Sequence, residues 1–308
     1  MSALLKTPGR QTWWRVIAPL LAMVVTCAVV GCRSVDRAQV GAWREALMAA
    51  DEQSSVTFQA TNELVRDSRR EWIARQPELL ESDLRPGSDS ASVARWQAAL
   101  RALVAYASAV EVLLAPEASA GVGASVKGLS ERIGVAANTT TLKADGALAR
   151  AIGRLGERVA QAAANGEARR LMLEADADVR GVLNQMSDML LLEQDDLRAG
   201  VVPTIEATWN TRLAQLEEQF RTASEGQRGA IIDRYADAMA RRDRATGAVL
   251  ALRAGLLNLA TAHSAAANGH VGDIKSVIEQ MRRDIAEGRA LIDALRAERA
   301  KKNAGGVQ

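Results

Sequence analysis

Residues 92–114 read SVARWQAALRALVAYASAVEVLL. Within them Val93, Trp96, Leu100, Leu103, Ala107, Val110 and Leu114 recur at alternating steps of three and four, with no polar exception. Such steps return a side chain to one face of a helix with 3.6 residues per turn, so the stretch predicts a helix with one continuous apolar seam of coiled-coil type. Pro116 ends it, because a proline ring does not fit a helix interior. Strand-like alternation survives over no more than a few residues anywhere in the chain. The expected fold is all-α: an elongated antiparallel helical bundle with coiled-coil-like seams.

The same spacing extends on both sides. Upstream, Val40, Trp43, Leu47, Ala50, Ser54, Thr57, Thr61, Leu64 and Ser68 mark a helix that Ser34 can cap and that runs to about Gln76, before Pro77. Its small hydroxyls predict close packing rather than a thick core. The Pro-, Gly- and Ser-rich run Leu84–Ser90 is a turn.

Downstream, Val122, Val126, Leu129, Ile133 and Ala136 share a face, but Gly121, Gly123, Gly128 and Gly134 predict a short or broken helix. Leu148, Ile152, Leu155 and Val159 form the next stripe, interrupted at Asn165-Gly166, where the bundle could divide into two sub-bundles. From Glu167 the inward positions are Val179, Val182, Leu183, Met186, Met189, Leu190 and Leu197, with a kink or division expected at Gly200 and Pro203. Ile205, Trp209, Leu213, Leu216 and Phe220 continue the stripe to a break over Ser224–Gly229.

The chain then closes with a long helical hairpin turning at Asn268-Gly269, each leg on the order of 45–60 Å. One leg runs from Ile231 through Tyr235, Ala238, Arg242 and Ala245 to His263 and Ala266; the other runs from Val271 to Leu295. The bundle is expected to occupy residues 39–300, followed by a polar, frayed tail at 301–308.

The N-terminus has a different character. Lys6, Arg10 and Arg15 precede an uncharged apolar run from Ile17 to Val30, 14 residues against the roughly 20 that a spanning helix needs. It ends in Val29-Val30-Gly31-Cys32. These residues resemble the lipobox of bacterial lipoproteins, with Val30 bulkier than the alanine or serine often found there. The resemblance covers residues 1–32 only. It implies a signal peptide over 1–31, cleavage between Gly31 and Cys32, acylation of Cys32 and a short lipidated tether over 32–38. Arg33 rather than Asp after the cysteine implies, by the enterobacterial sorting pattern, the periplasmic face of the outer membrane. Several acyl chains would anchor stably where one would not.

Composition excludes several chemistries. Removing Lys6, Arg10 and Arg15 with the leader leaves 36 basic against 37 acidic residues, and aromatics are only 3%. No field or stacking platform for nucleic acid remains. Cys27 leaves with the leader and Cys32 carries lipid, so the mature domain has no disulfide, thiolate ligand or cysteine nucleophile.

His263 and His270 are the only histidines, spaced too far apart along a helix to share one metal. Met186, Met189, Met239 and Met281 read as core filling rather than ligands. Arg242 on the apolar seam reads as a polar seam position reaching Asp293 or Glu298; His263 is the second such position. Glu193, Asp195 and Asp196 read as a solvated face. Gly123–Gly128 mimics phosphate-loop spacing, but Leu129 stands where lysine is required. Asn138-Thr139-Thr140 is a sequon in letters only.

No catalytic constellation, cofactor or metal site is expected, so the chain is not expected to be an enzyme. The expectation is a membrane-tethered structural or adaptor module of the cell envelope with a protein partner. The alternative is a ligand-binding bundle with a pocket lined by Trp96, Trp209, Met186 and Met189.

Overall fold

The computed structural model describes residues 36–74, 76–81, 90–115, 122–138, 146–165, 167–191, 200–269 and 271–305. Gly31, Cys32, Ser34, Glu193, Asp195, Asp196, Leu197, His270 and most of the 84–90 turn lie outside the described residues.

The described residues contain eight helices and no strand: α1 (Arg37–Ile73), α2 (Ser90–Leu113), α3 (Val122–Ala137), α4 (Gly146–Asn165), α5 (Ala168–Asp188), α6 (Val201–Thr222), α7 (Glu225–Ala267) and α8 (Val271–Gly305). They belong to one compact unit, including those on either side of the helix break at 165–168.

Helix α7 is the spine. Its 43 residues span about 64 Å. By length and composition it could cross a membrane, yet 56% of its most apolar window is buried inside the bundle, as in a core helix. Helices α5 and α6, 21 and 22 residues long, lie end to end along it. Asp176 of α5 meets His263 and Ser264 near the C-terminus of α7. Asn210, Glu217 and Gln219 of α6 meet Arg242, Tyr235 and Arg234 in its N-terminal half. The N–H of Val202 donates to the Leu190 carbonyl at 3.0 Å across the junction. The expected division is present but begins earlier, since α5 already ends at Asp188; Gly200 stands at the N-cap of α6 and Pro203 in its first turn.

Helices α7 and α8 form the expected long hairpin. Gly269 turns it with φ of 76°, a backbone conformation that favours glycine. Helix α1 runs antiparallel to α7, placing Trp43 beside Leu259, and parallel to α8. Glu45–Arg282, Glu52–Arg289 and Gln59–Arg296 pair in sequence, advancing seven residues on both helices at each step. The antiparallel expectation thus holds for the α3–α4, α4–α5, α6–α7 and α7–α8 neighbours, but α5 and α6 lie end to end and the first and last helices are parallel.

The seam residues of α1 from Val40 to Thr61 are buried, hydroxyls included. The close approach at this level comes from Gly288 of α8, where a Cβ would lie 3.1 Å from Gln53 Nε2 and 3.4 Å from the Ala248 carbonyl oxygen. Helix α2 buries Trp96, Leu100, Leu103, Ala107 and Val110 as expected, but also Ala99, Ala102, Tyr106, Ala109 and Leu113. It packs against α1, α3, α4 and α5, so one seam could not satisfy it.

Four local expectations are corrected. Helix α3 is continuous despite its glycines. Where α4 crosses it, Gly156 lies close enough that a Cβ there would sit 3.4 Å from Ile133 Cγ2, and the Ser130 hydroxyl donates to the Gly156 carbonyl at 2.9 Å. Packing on α4 outweighs the propensity loss. The break between α6 and α7 is only Ala223-Ser224, because the Ser224 N–H and hydroxyl both donate to Gln227 Oε1 and start α7 at once. The first helix starts under an Asp36 cap, whose Oδ1 accepts from the Ala38 N–H at 3.0 Å, and ends at Ile73. The C-terminal tail is helical to Gly305.

Candidate functional site

Four helices bring polar groups to one buried point. His263, 1% exposed, lies on the inner seam of α7. Its Nε2 is 2.9 Å from the Tyr106 hydroxyl of α2, and its Nδ1 is 3.0 Å from Asp176 Oδ1 of α5. The Ser264 hydroxyl donates to the same carboxylate oxygen at 2.7 Å, and Arg180 pairs with Asp176 Oδ2 at 2.9 Å. Trp43 of α1 closes the cluster: its ring stands 5.1 Å from the imidazole and edge-on to Tyr106 at 6.2 Å. Its indole N–H donates to the Leu259 carbonyl at 3.0 Å.

Partner chemistry settles the protons. Burial holds the His263 imidazole below its ordinary pKa, against the opposing pull of Asp176, so the ring is neutral at pH 7. An ionised carboxylate only accepts, so Nδ1 carries the hydrogen and Nε2 is the acceptor. Tyr106 therefore donates to His263. Burial, reinforced by the charge of Asp176, pushes the phenol well above its usual range and keeps that proton in place. Burial works to raise Asp176, but the hydrogen bonds from His263 and Ser264 and the charge of Arg180 hold it below the ordinary carboxylate value. Donors and acceptors are matched around the ring.

A second polar point lies on the opposite side of α5, two residues on. Asp178 accepts from Arg154 Nε at 2.7 Å and from Arg158 Nε at 2.9 Å, tying α5 to α4. The two aspartates make α5 a polar bridge between the spine and the α3–α4 hairpin.

Of the two expected polar seam positions, His263 is fully buried on the seam, while Arg242 is half-buried elsewhere. Arg242 does not reach Asp293 or Glu298. It binds Asp243 Oδ1 at 3.0 Å and Asn210 Oδ1 at 3.2 Å, and its neighbours Arg241 and Arg244 take Glu298. A helix turns 100° per residue, and the one-residue offset moves Arg242 off the α8 side towards α6.

Trp96 and Trp209 do not share a pocket. Trp96 stands edge-on to Phe58 of α1 at 5.3 Å, and α2 and α6 do not pack on each other. An open groove of about 460 Å³ does occur nearby, lined by Ser55, Phe58, Gln59, Asn62 and Arg66 of α1 with Val93 of α2. Met186 and Met281 are buried, while Met239 is exposed. Among the described residues, no cluster of three or more His, Cys, Asp or Glu could hold a metal.

Tyr106, Asp176 and Arg180 were not apparent as site residues from sequence. The available signal was that α2 is apolar nearly all round, which implies several buried faces and a tyrosine hydroxyl that must find a partner inside. Comparison with family models, with curated proteins and with solved structures finds no match to the chain.

Proposed function

We propose that this protein is a lipid-anchored helical-bundle module of the bacterial cell envelope, a structural or adaptor element that engages an envelope protein from the periplasmic side of the outer membrane. The observation that carries the reading is the lipobox Val29-Val30-Gly31-Cys32, placed only five residues before the first helix begins at Arg37. Such a tether would hold the start of α1, and with it the α7–α8 turn, beside the bilayer. The α6–α7 hairpin would then lie about 60 Å away at the far end of the spine.

A non-enzymatic role is consistent with His263. Its ring is buried and both nitrogens are engaged, so it offers no lone pair to a substrate. Ile232, Met239 and Leu250 are exposed on α7 and, at intervals of 7 and 11 residues, share one helix face. A periodic apolar stripe of this kind is what a partner would cover. The groove beside Phe58 favours a second reading, a tethered ligand-binding bundle.

Replacing Cys32 with Ser tests the anchor. The variant should lose its acyl chains and leave the membrane fraction; an unlipidated variant that still fractionates with membranes rules the anchored reading out.

A further inference from the structure

We propose that the Tyr106–His263–Asp176 cluster is a proton-sensitive latch, holding α1, α2 and α5 to the C-terminal part of α7 while His263 is neutral and loosening them when it takes up a proton. The geometry alone creates the conflict. In the neutral ring Nε2 accepts from the Tyr106 hydroxyl at 2.9 Å. A proton from solvent adds an N–H at Nε2 that points at this same hydroxyl oxygen. Tyr106 must then turn its own hydrogen away, towards the edge of the Trp43 indole and the apolar core of α2. The side of the ring facing Tyr106 goes from matched to one donor in excess, and a buried unmatched donor is costly.

The charged surroundings offset the added charge only in part: Asp176 favours it, while burial and Arg180 oppose it. Asp176 and Arg180 of α5 are the charges acting on the ring, and that carboxylate already serves Arg180 and Ser264. From α4, Arg158 acts on Tyr106. Helix α1 contributes the uncharged indole of Trp43, and the adjacent Arg44 is paired with Glu111 of α2 at 3.1 Å. Helix α2 otherwise presents Tyr106. Opening lets the imidazolium reach water.

The distal part of the spine is held by contacts that do not involve His263, including Tyr235–Glu217 and Arg242–Asn210. The loosening is therefore confined to one end of the bundle. Because opening takes up one proton, the open-to-closed ratio rises by up to about tenfold per pH unit once the pH is below the solvated histidine value of about 6.5.

Hydrogen exchange on the purified full-length protein at pH 7.5, 6.5 and 5.5, corrected for intrinsic exchange, tests this. Amides around residues 40–50, 100–113 and 256–266 should open about five- to tenfold more at pH 5.5 than at 6.5, while those over 205–240 stay unchanged. His263→Gln, which keeps one donor and one acceptor but cannot titrate, should abolish the pH dependence. If that variant does not fold, ¹⁵N spectra of the His270→Asn protein read His263 directly. A neutral ring with hydrogen on Nδ1, persisting below pH 6.5, supports the latch. An imidazole titrating at its ordinary value, or exchange at the cluster independent of pH, overturns it.

Discussion

His263 has two ring nitrogens, and each has one partner of the right kind. That matching explains how a titratable ring persists in a largely apolar core. Removing one partner should expose its worth. Tyr106→Phe keeps the ring packing against Trp43 but leaves Nε2 without its donor, and should cost about 1–3 kcal/mol in urea unfolding at pH 7.5. A loss below a few tenths would mean that the hydroxyl is not paired as described. At this scale the sequence was a partial guide. His263 was visible as a polar residue on an apolar seam, because periodicity alone places it there. Its partners were not, because Tyr106 sits off the main α2 seam and Asp176 is 87 residues from His263 in sequence. Only tertiary packing brings them together: α1 and α5 lie against α7, and α2, packed on α1 and α5, reaches His263 through the Tyr106 side chain.

At the scale of elements, glycines divide into two kinds, which should respond oppositely to the same substitution. Gly134 has open space where a Cβ would go, so Gly134→Ala should stabilise by about 0.5–1 kcal/mol through helix propensity. Gly288 faces Gln53 and the Ala248 backbone at 3.1 and 3.4 Å. Gly288→Ala should instead destabilise by about 1–3 kcal/mol, because the 3.1 Å contact falls on the buried Gln53 amide, which the Ala248 carbonyl beside it and its bond to Thr57 leave little room to shift. Denaturant midpoints of the two variants check both signs. The same contrast explains where helix reading succeeded and failed. Most of the buried positions of α1, α2, α7 and α8 follow from three-four spacing, though not Arg242 or the further buried faces of α2, and the Asn268-Gly269 turn follows from its residue types. The continuity of α3 is not legible in helix propensity, which its interior glycines lower, because packing on α4 decides the outcome. The α6–α7 connection is shorter than its glycines suggest for a similar reason: Gly226 and Gly229 are loop-like residue types, but the Ser224–Gln227 bonds start the helix before them. At the end of that hairpin Arg228 lies 5.1 Å over the Phe220 ring, pinning one helix to the other.

At the scale of the whole molecule, the all-α class was readable from the absence of sustained alternation, but the arrangement was not. Nothing in local spacing says that α1 and α8, separated by 237 positions at each pairing, run side by side and parallel. The arrangement places the start of α1, the α7–α8 turn and the His263 cluster towards one end, with the α6–α7 connection at the other. On the proposed function the first end is the anchored one and the apolar stripe through Ile232 and Met239 faces away from it. The most direct test is photo-crosslinking in cells, with the reactive group placed in turn at Ile232, Met239, Glu45 and Met48 of the anchored protein. The account predicts that one envelope protein is captured from positions 232 and 239, not from 45 and 48, and that capture is lost with Cys32→Ser. Recovery of the uncrosslinked protein from every position, or capture unaffected by loss of the anchor, would contradict it.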